Sequence, residues 1–216
     1  MLSLLIASGT ALAQGTGSVS AGKTFIDYFQ PIPPRAALTK EAWGADNVLP
    51  RDTQNGLEDL KNRYCYWDGQ ILQGPDGRYH LFASRWDESK GHNGWMGSVA
   101  VHAVSDHLLG PYLDRGLCWP NDEGGKGHNV TALKLPDGRY AIVISETRPG
   151  TVYVSKSLDG PWEKLGPIVT QGETRARASN YSVMVRPDGD FMIVPRAGQI
   201  LLSKSGILGP YIAQGP

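Results

Sequence analysis

The stretch Asp137-Gly138-Arg139-Tyr140-Ala141-Ile142-Val143-Ile144-Ser145, followed by Gly160-Pro161-Trp162, decides the fold because its plan occurs three times. Asp-Gly between two apolar runs is a hairpin signal, since glycine adopts the positive φ that a tight turn needs. The same turn stands at Asp76-Gly77-Arg78-Tyr79 and at Asp188-Gly189-Asp190-Phe191. Each is followed by a third strand-like run. Then comes a Gly-Pro-aromatic turn, at Gly110-Pro111-Tyr112, Gly160-Pro161-Trp162 and Gly209-Pro210-Tyr211, spaced 50 and 49 residues apart. A fixed period of that length marks a repeat architecture.

Strands are expected at Gln70–Leu72, Tyr79–Ser84, Ser98–Val104 and Tyr112–Asp114 in the first repeat. The second gives Val130–Leu135, Tyr140–Ser145, Thr151–Ser155 and Trp162–Lys164, and the third Ser182–Arg186, Phe191–Val194, Gln199–Ser203 and Tyr211–Ala213. Four antiparallel strands in roughly 50 residues make the blade of a β-propeller. The expected fold is therefore all-β, with blades over 64–116, 127–166 and 179–216. A β-sandwich would not need this repetition, and a β-helix has a shorter repeat. Propellers close with roughly four to eight blades, each burying its faces against its neighbours. Three blades cannot close, so the chain is expected to hold part of a propeller, five-bladed by default and seven-bladed as the alternative.

Composition narrows the function. Twenty-one basic and 21 acidic residues cancel, and no Lys/Arg cluster occurs, which removes the electrostatic footprint of a nucleic-acid binder. Six Trp and nine Tyr suit the stacking of sugar rings. Residues 1–13 end in Ala11-Leu12-Ala13, the small-x-small form of a signal-peptidase site, so a secreted or periplasmic protein cut before Gln14 is expected. An N-terminal extension then covers 14–63. No later stretch approaches the roughly 20 apolar residues of a membrane span, and a protein that is monomeric when full length, without membrane or nucleic-acid partners, is expected. Cys65 and Cys118 leave two readings open, one disulfide or two separate thiols.

Antiparallel geometry puts the start of each inner strand and the end of the second strand on one face. Eight residues before the three Asp-Gly turns stand Asp68, Asn129 and Asn180, preceded by Trp67, His128 and Ser179. The same face receives Arg85, Trp86, His92 and Trp95 from the first repeat, Glu146 and Arg148 from the second, and Arg196 from the third. Asp68, Glu146 and His128 are the candidate catalytic residues, being the groups there that can move protons. Trp67, Arg85, Trp86, His92, Asn129, Arg148, Asn180 and Arg196 are the candidate substrate contacts, as stacking surfaces and as donors to hydroxyls or a uronate carboxylate. The competing reading makes the Asp and Asn residues caps for backbone amides of the neighbouring blade. His102, inside an alternating apolar strand, reads as structural. The Gly-rich run 123–127 lacks the spacing of a phosphate loop. No metal-ligand motif and no cofactor is expected, a structural cation near the axis being the one ion the pattern admits.

The segments Tyr66-Trp67-Asp68-Gly69-Gln70, Phe82-Ala83-Ser84-Arg85-Trp86, Val104-Ser105-Asp106 and Gly127-His128-Asn129 together resemble the arabinanase-like propeller glycoside hydrolases of families 43 and 117, from Cys65 to the end. The resemblance implies an oligosaccharide or polysaccharide substrate in an axial funnel, with an inner-strand Asp as general base and a Glu as proton donor. Asp68 matches the base. Asn129 stands where that family has an Asp, and Glu146 is the nearest acid on that face. A second resemblance, to propeller polysaccharide lyases acting on rhamnose-glucuronate glycans, implies a His or Tyr that moves the C5 proton and Arg or Asn on the carboxylate. His128, His92, Tyr181, Arg85 and Arg148 would supply those parts. A non-catalytic sugar-binding propeller is the third reading.

Overall fold

The structure is a computed structural model that describes residues 56–57, 64–147, 150–171, 180, 182–196 and 198–214. The leader, nearly all of the extension, Arg148, Ser179 and Tyr181 lie outside the described residues. Three separate sheets follow one another along the chain. The first is β1 (Tyr64–Gln73), β2 (Tyr79–Asp87), β3 (Val99–Ser105) and β4 (Leu113–Leu117), and the second is β5 (His128–Lys134), β6 (Tyr140–Glu146), β7 (Thr151–Ser155) and β8 (Glu163–Pro167). The third comprises β10 (Ser182–Val185), β11 (Phe191–Val194), β12 (Leu201–Ser203) and β13 (Tyr211–Ala213), joined by the two-residue β9 (Thr170–Gln171). Leaving β9 aside, the four strands of each sheet run antiparallel in sequence order, the blade pattern of a β-propeller.

The repeat is visible at the level of single hydrogen bonds. In all three hairpins the turn aspartate accepts the backbone N–H two residues on: Arg78 to Asp76 (3.1 Å), Arg139 to Asp137 (3.0 Å) and Asp190 to Asp188 (3.1 Å). The intervening Gly77, Gly138 and Gly189 have φ of 81°, 87° and 88°, a region costly for a residue with a Cβ. At the end of each third strand a serine hydroxyl accepts the N–H two residues on, at Ser105, Ser155 and Ser203. The three Gly-Pro peptide bonds that follow are all cis.

Sheet two lies between the other two and is buried on both faces. Along β6, Tyr140, Ile142 and Ile144 enter a core with Phe82, Ala100 and Trp119 of the first repeat, while Ala141 and Val143 enter one with Val183, Phe191, Ile193 and Tyr211 of the third. This is why β6 reads as an unbroken apolar run. Trp119 stacks on Tyr153 with ring centroids 3.8 Å apart, adding an aromatic contact to the first of these cores.

Several elements differ from the sequence reading. The first strand is ten residues long, not three, because its ladder with β2 continues through an irregularity between Trp67 and Gln70 that the Asp-Gly dipeptide disguises as a turn. Strands β4 and β8 begin one residue after the aromatic of the Gly-Pro turn. At the first of these Tyr112 is turned inward, its hydroxyl donating to the Leu108 carbonyl at 2.7 Å. The third sheet gains β9, which pairs parallel with β13 and covers its outer edge. Cys65 and Cys118 are free thiols. His102 is buried and hydrogen-bonded to His80 (Nε2 to Nδ1, 2.9 Å), itself 3.4 Å from the Asp76 carboxylate.

Replacing Ile142, fully buried between the first two sheets, by alanine is expected to destabilise the protein by about 2–5 kcal/mol. Leu109→Ala, at a position 75 % exposed, should change stability by less than about 0.5 kcal/mol. Urea unfolding of the two variants side by side checks the assignment.

Candidate functional site

The site is built on three repeat-equivalent residues with left-handed backbone. Asp68, Asn129 and Asn180 have φ of 44°, 53° and 59°, a conformation that Asn and Asp tolerate better than other side-chain-bearing residues. Asn129 shows how it is held. Its N–H donates to Ser84 Oγ of the first sheet at 2.9 Å, and its carbonyl accepts from Ser145 Oγ of its own sheet at 3.3 Å. Its side-chain amide donates to Asn180 Oδ1, tying the second repeat to the third. Asn129 is only 8 % exposed, yet its Oδ1 has no hydrogen-bond partner among the described residues. A buried acceptor left open in this way is costly unless a bound group donates to it.

Two adjoining clefts share Asn129 and Asn180. The first, about 500 Å³, runs along the inner strands and is lined by Asp68, Gln70, Thr131 and Met184. Burial raises the pKa of the Asp68 carboxyl, and a hydrogen bond from the Trp67 side chain offsets part of that. The second, about 390 Å³, has aromatic walls from Trp67, Trp86 and Trp95. His92, His128, Glu146 and Arg196 supply its polar groups. Both volumes lie in the ordinary range for ligand sites. Trp67 packs against Trp86 and His92, with ring centroids 6.4 and 6.3 Å apart, and is itself 47 % exposed, so one aromatic face is available to a ligand. Glu146 ends β6 directly opposite His128 in the β5–β6 ladder.

His128 is the most constrained of these groups. Its ring packs against Trp86 and Trp95, at 5.8 and 5.1 Å between centroids, and Nδ1 lies 2.8 Å from Ser98 Oγ. Burial, with His92 nearby, lowers its pKa to about 4, so the imidazole is neutral near pH 7.

Of the residues singled out from sequence, Trp67, Trp86, His92, His128, Asn129, Glu146, Asn180 and Arg196 line the second cleft, and Asp68 the first. Arg85 does not join them. Side chains alternate along β2, so Ser84 and Trp86 face this side and Arg85 faces the other. There it pairs with Asp114, which also accepts from the Tyr66 hydroxyl at 2.6 Å, and its guanidinium lies 4.2 Å from the Tyr64 ring centroid. Arg148 lies outside the described residues. Ser98 and Ser84 went unrecognised because a serine in a strand carries no sequence signal of which neighbour its hydroxyl serves.

Neither a family model nor a curated protein matches the sequence. Solved structures do. A family 117 glycoside hydrolase from the marine bacterium Zobellia galactanivorans superposes with TM-score 0.53 at 13% identity, over 78% of this chain and 58% of that one. A second structure described as a glycoside hydrolase gives 0.50 at 15%, over 69% and 36%. An α-L-arabinofuranosidase from Clostridium thermocellum gives 0.48 at 16%, over 68% and 54%. The first two share this chain's propeller fold. The chain spans less than two thirds of the length of each of these proteins.

His128 and His102 are both held near 4, against an ordinary value of 6.5. The unfolded chain therefore binds more protons in this interval, and stability should fall as pH drops from about 6.5 to 4. Thermal unfolding across that range is expected to show a declining midpoint. The decline should be shallower in His102→Val, which installs the residue that the second repeat carries at this register, Val152.

Proposed function

We propose that this protein is an exported carbohydrate-active enzyme of the glycoside hydrolase kind, acting on a plant or algal polysaccharide or oligosaccharide held in the two axial clefts. The observation that carries the reading is the wall of the second cleft, where flat aromatic surfaces stand beside Glu146, His128, Arg196 and the Oδ1 of Asn129, which has no partner among the described residues. Sugar rings stack on such surfaces, and a hydroxyl donating to that oxygen would satisfy it. Glu146 is the proposed acid. Asp68, in the adjoining cleft, is the proposed base that activates water, an inverting arrangement needing carboxyls roughly 6.5–9.5 Å apart. The fold shared with known glycoside hydrolases supports the reading, and export rests on the leader ending in Ala13.

A second reading, a lyase acting on a uronate-containing glycan, is favoured by one observation. A neutral imidazole and a guanidinium, His128 and Arg196, line the same cleft. The imidazole would take the C5 proton and the guanidinium would neutralise the carboxylate, while the C4–O bond breaks as the C4–C5 double bond forms and the leaving oxygen takes a proton from Glu146.

The products separate the two. A hydrolase releases new reducing ends without near-ultraviolet absorbance, and Glu146→Gln should lower kcat by roughly 10²–10⁴-fold while His128→Ala raises mainly KM. A lyase releases an absorbing unsaturated uronate, and His128→Ala takes the larger loss. Binding of glycans with no product of either kind would exclude both and leave a sugar-binding propeller.

A further inference from the structure

Ser98 is fully buried immediately before β3, at the seam between the first two sheets. Its carbonyl accepts from Gly127 N–H at 3.1 Å, and its own N–H donates to the Trp95 carbonyl at 3.0 Å. Its hydroxyl has two neighbours, the Gly127 carbonyl oxygen at 3.0 Å and His128 Nδ1 at 2.8 Å. A hydroxyl carries one proton, and a carbonyl oxygen only accepts. If that proton went to an unprotonated Nδ1, the lone pairs of Ser98 Oγ and Gly127 O would face each other at 3.0 Å in a site closed to water. The proton therefore goes to Gly127, and Ser98 Oγ receives one from Nδ1–H.

We infer that Ser98 is a positioning residue that holds neutral His128 as the tautomer protonated on Nδ1, leaving the Nε2 lone pair to face the cleft. Nε2 has no hydrogen-bond partner among the described residues. Trp95, which packs on the imidazole, is tied to the same serine through its carbonyl, so ring orientation and tautomer are fixed together. Among the described residues, His92, Glu146 and Arg196 are the charged or titratable groups that share the cleft with the ring. The inference deepens the proposed function and rests on it for its catalytic meaning. His128 accepts a proton or a hydroxyl hydrogen bond and does not serve as the proton donor, which leaves that part to a carboxyl group.

Two-bond 1H–15N correlation spectra of histidine-labelled protein near pH 7 test this directly, with the His128 signals identified by their loss in His128→Gln. The expected pattern is protonated Nδ1 and unprotonated Nε2. In Ser98→Ala it should move toward the Nε2–H form, and Ser98→Thr, which keeps the hydroxyl, should restore it. On the substrate found for the enzyme, Ser98→Ala should reproduce part of the His128→Ala effect, a KM raised about tenfold if the reaction is hydrolysis or a kcat lowered about tenfold if it is elimination, and Ser98→Thr should recover it. An Nε2–H or doubly protonated His128 in the unmodified protein overturns the inference, as does an unchanged pattern in Ser98→Ala. If that variant does not fold, the unmodified and Ser98→Thr spectra still decide the tautomer. The expected spectra combined with unaltered kcat and KM in His128→Ala would uphold the tautomer and refute the placement of substrate against His128.

Discussion

Strand β6 sends alternate side chains into two different cores, and the arrangement of the three sheets depends on this. Its even-numbered residues from Tyr140 to Ile144 pack toward the first sheet, while Ala141 and Val143 pack toward the third. A fully buried aliphatic side chain contributes about 1.5–3 kcal/mol, and β6 spends that contribution on both of its faces. A one-residue slip in its pairing would exchange the two sets and spoil both cores at once. The register is therefore firmly specified, and with it the height at which the strand ends, where Glu146 stands opposite His128.

That height is where the candidate site residues collect. The strained residues Asp68, Asn129 and Asn180 occupy one position of the repeat, and the grip on Asn129 comes from Ser84 and Ser145, which themselves occupy one position of two successive repeats. The first sheet thus holds the backbone from which the second sheet presents its polar side chains. Trp86 near the end of β2 and Trp95 in the loop after it pack against His128. Rigidity at the base and an open aromatic wall above it are what the proposed sugar site would require.

Much of this was legible in the sequence, for physical reasons that differ by element. The Asp-Gly and Gly-Pro turns announce themselves because few residues tolerate those backbone angles, and the strands between them fell close to their expected bounds. The mouth residues followed from counting, since antiparallel pairing fixes which strand ends meet. Counting failed at Arg85, where the pleat decides the face and the sequence around it, alternating poorly, does not reveal the pleat. It failed again at β1, where Asp68-Gly69 interrupts a ladder without ending it. The role of Ser98 was out of reach, because it arises from contact with Gly127 and His128, some 30 residues away.

The shared left-handed backbone at Asp68, Asn129 and Asn180 has a consequence for descent as well as for mechanism. The two side-chain-bearing amino acids most at ease in that conformation differ by one codon base and by one charge. Each socket of the ring can therefore gain or lose a carboxylate in a single mutational step with its backbone unaltered. Acidity can migrate around the axis of such a propeller while the scaffold stays still, and the blade that bears the acid in one lineage need not bear it in another.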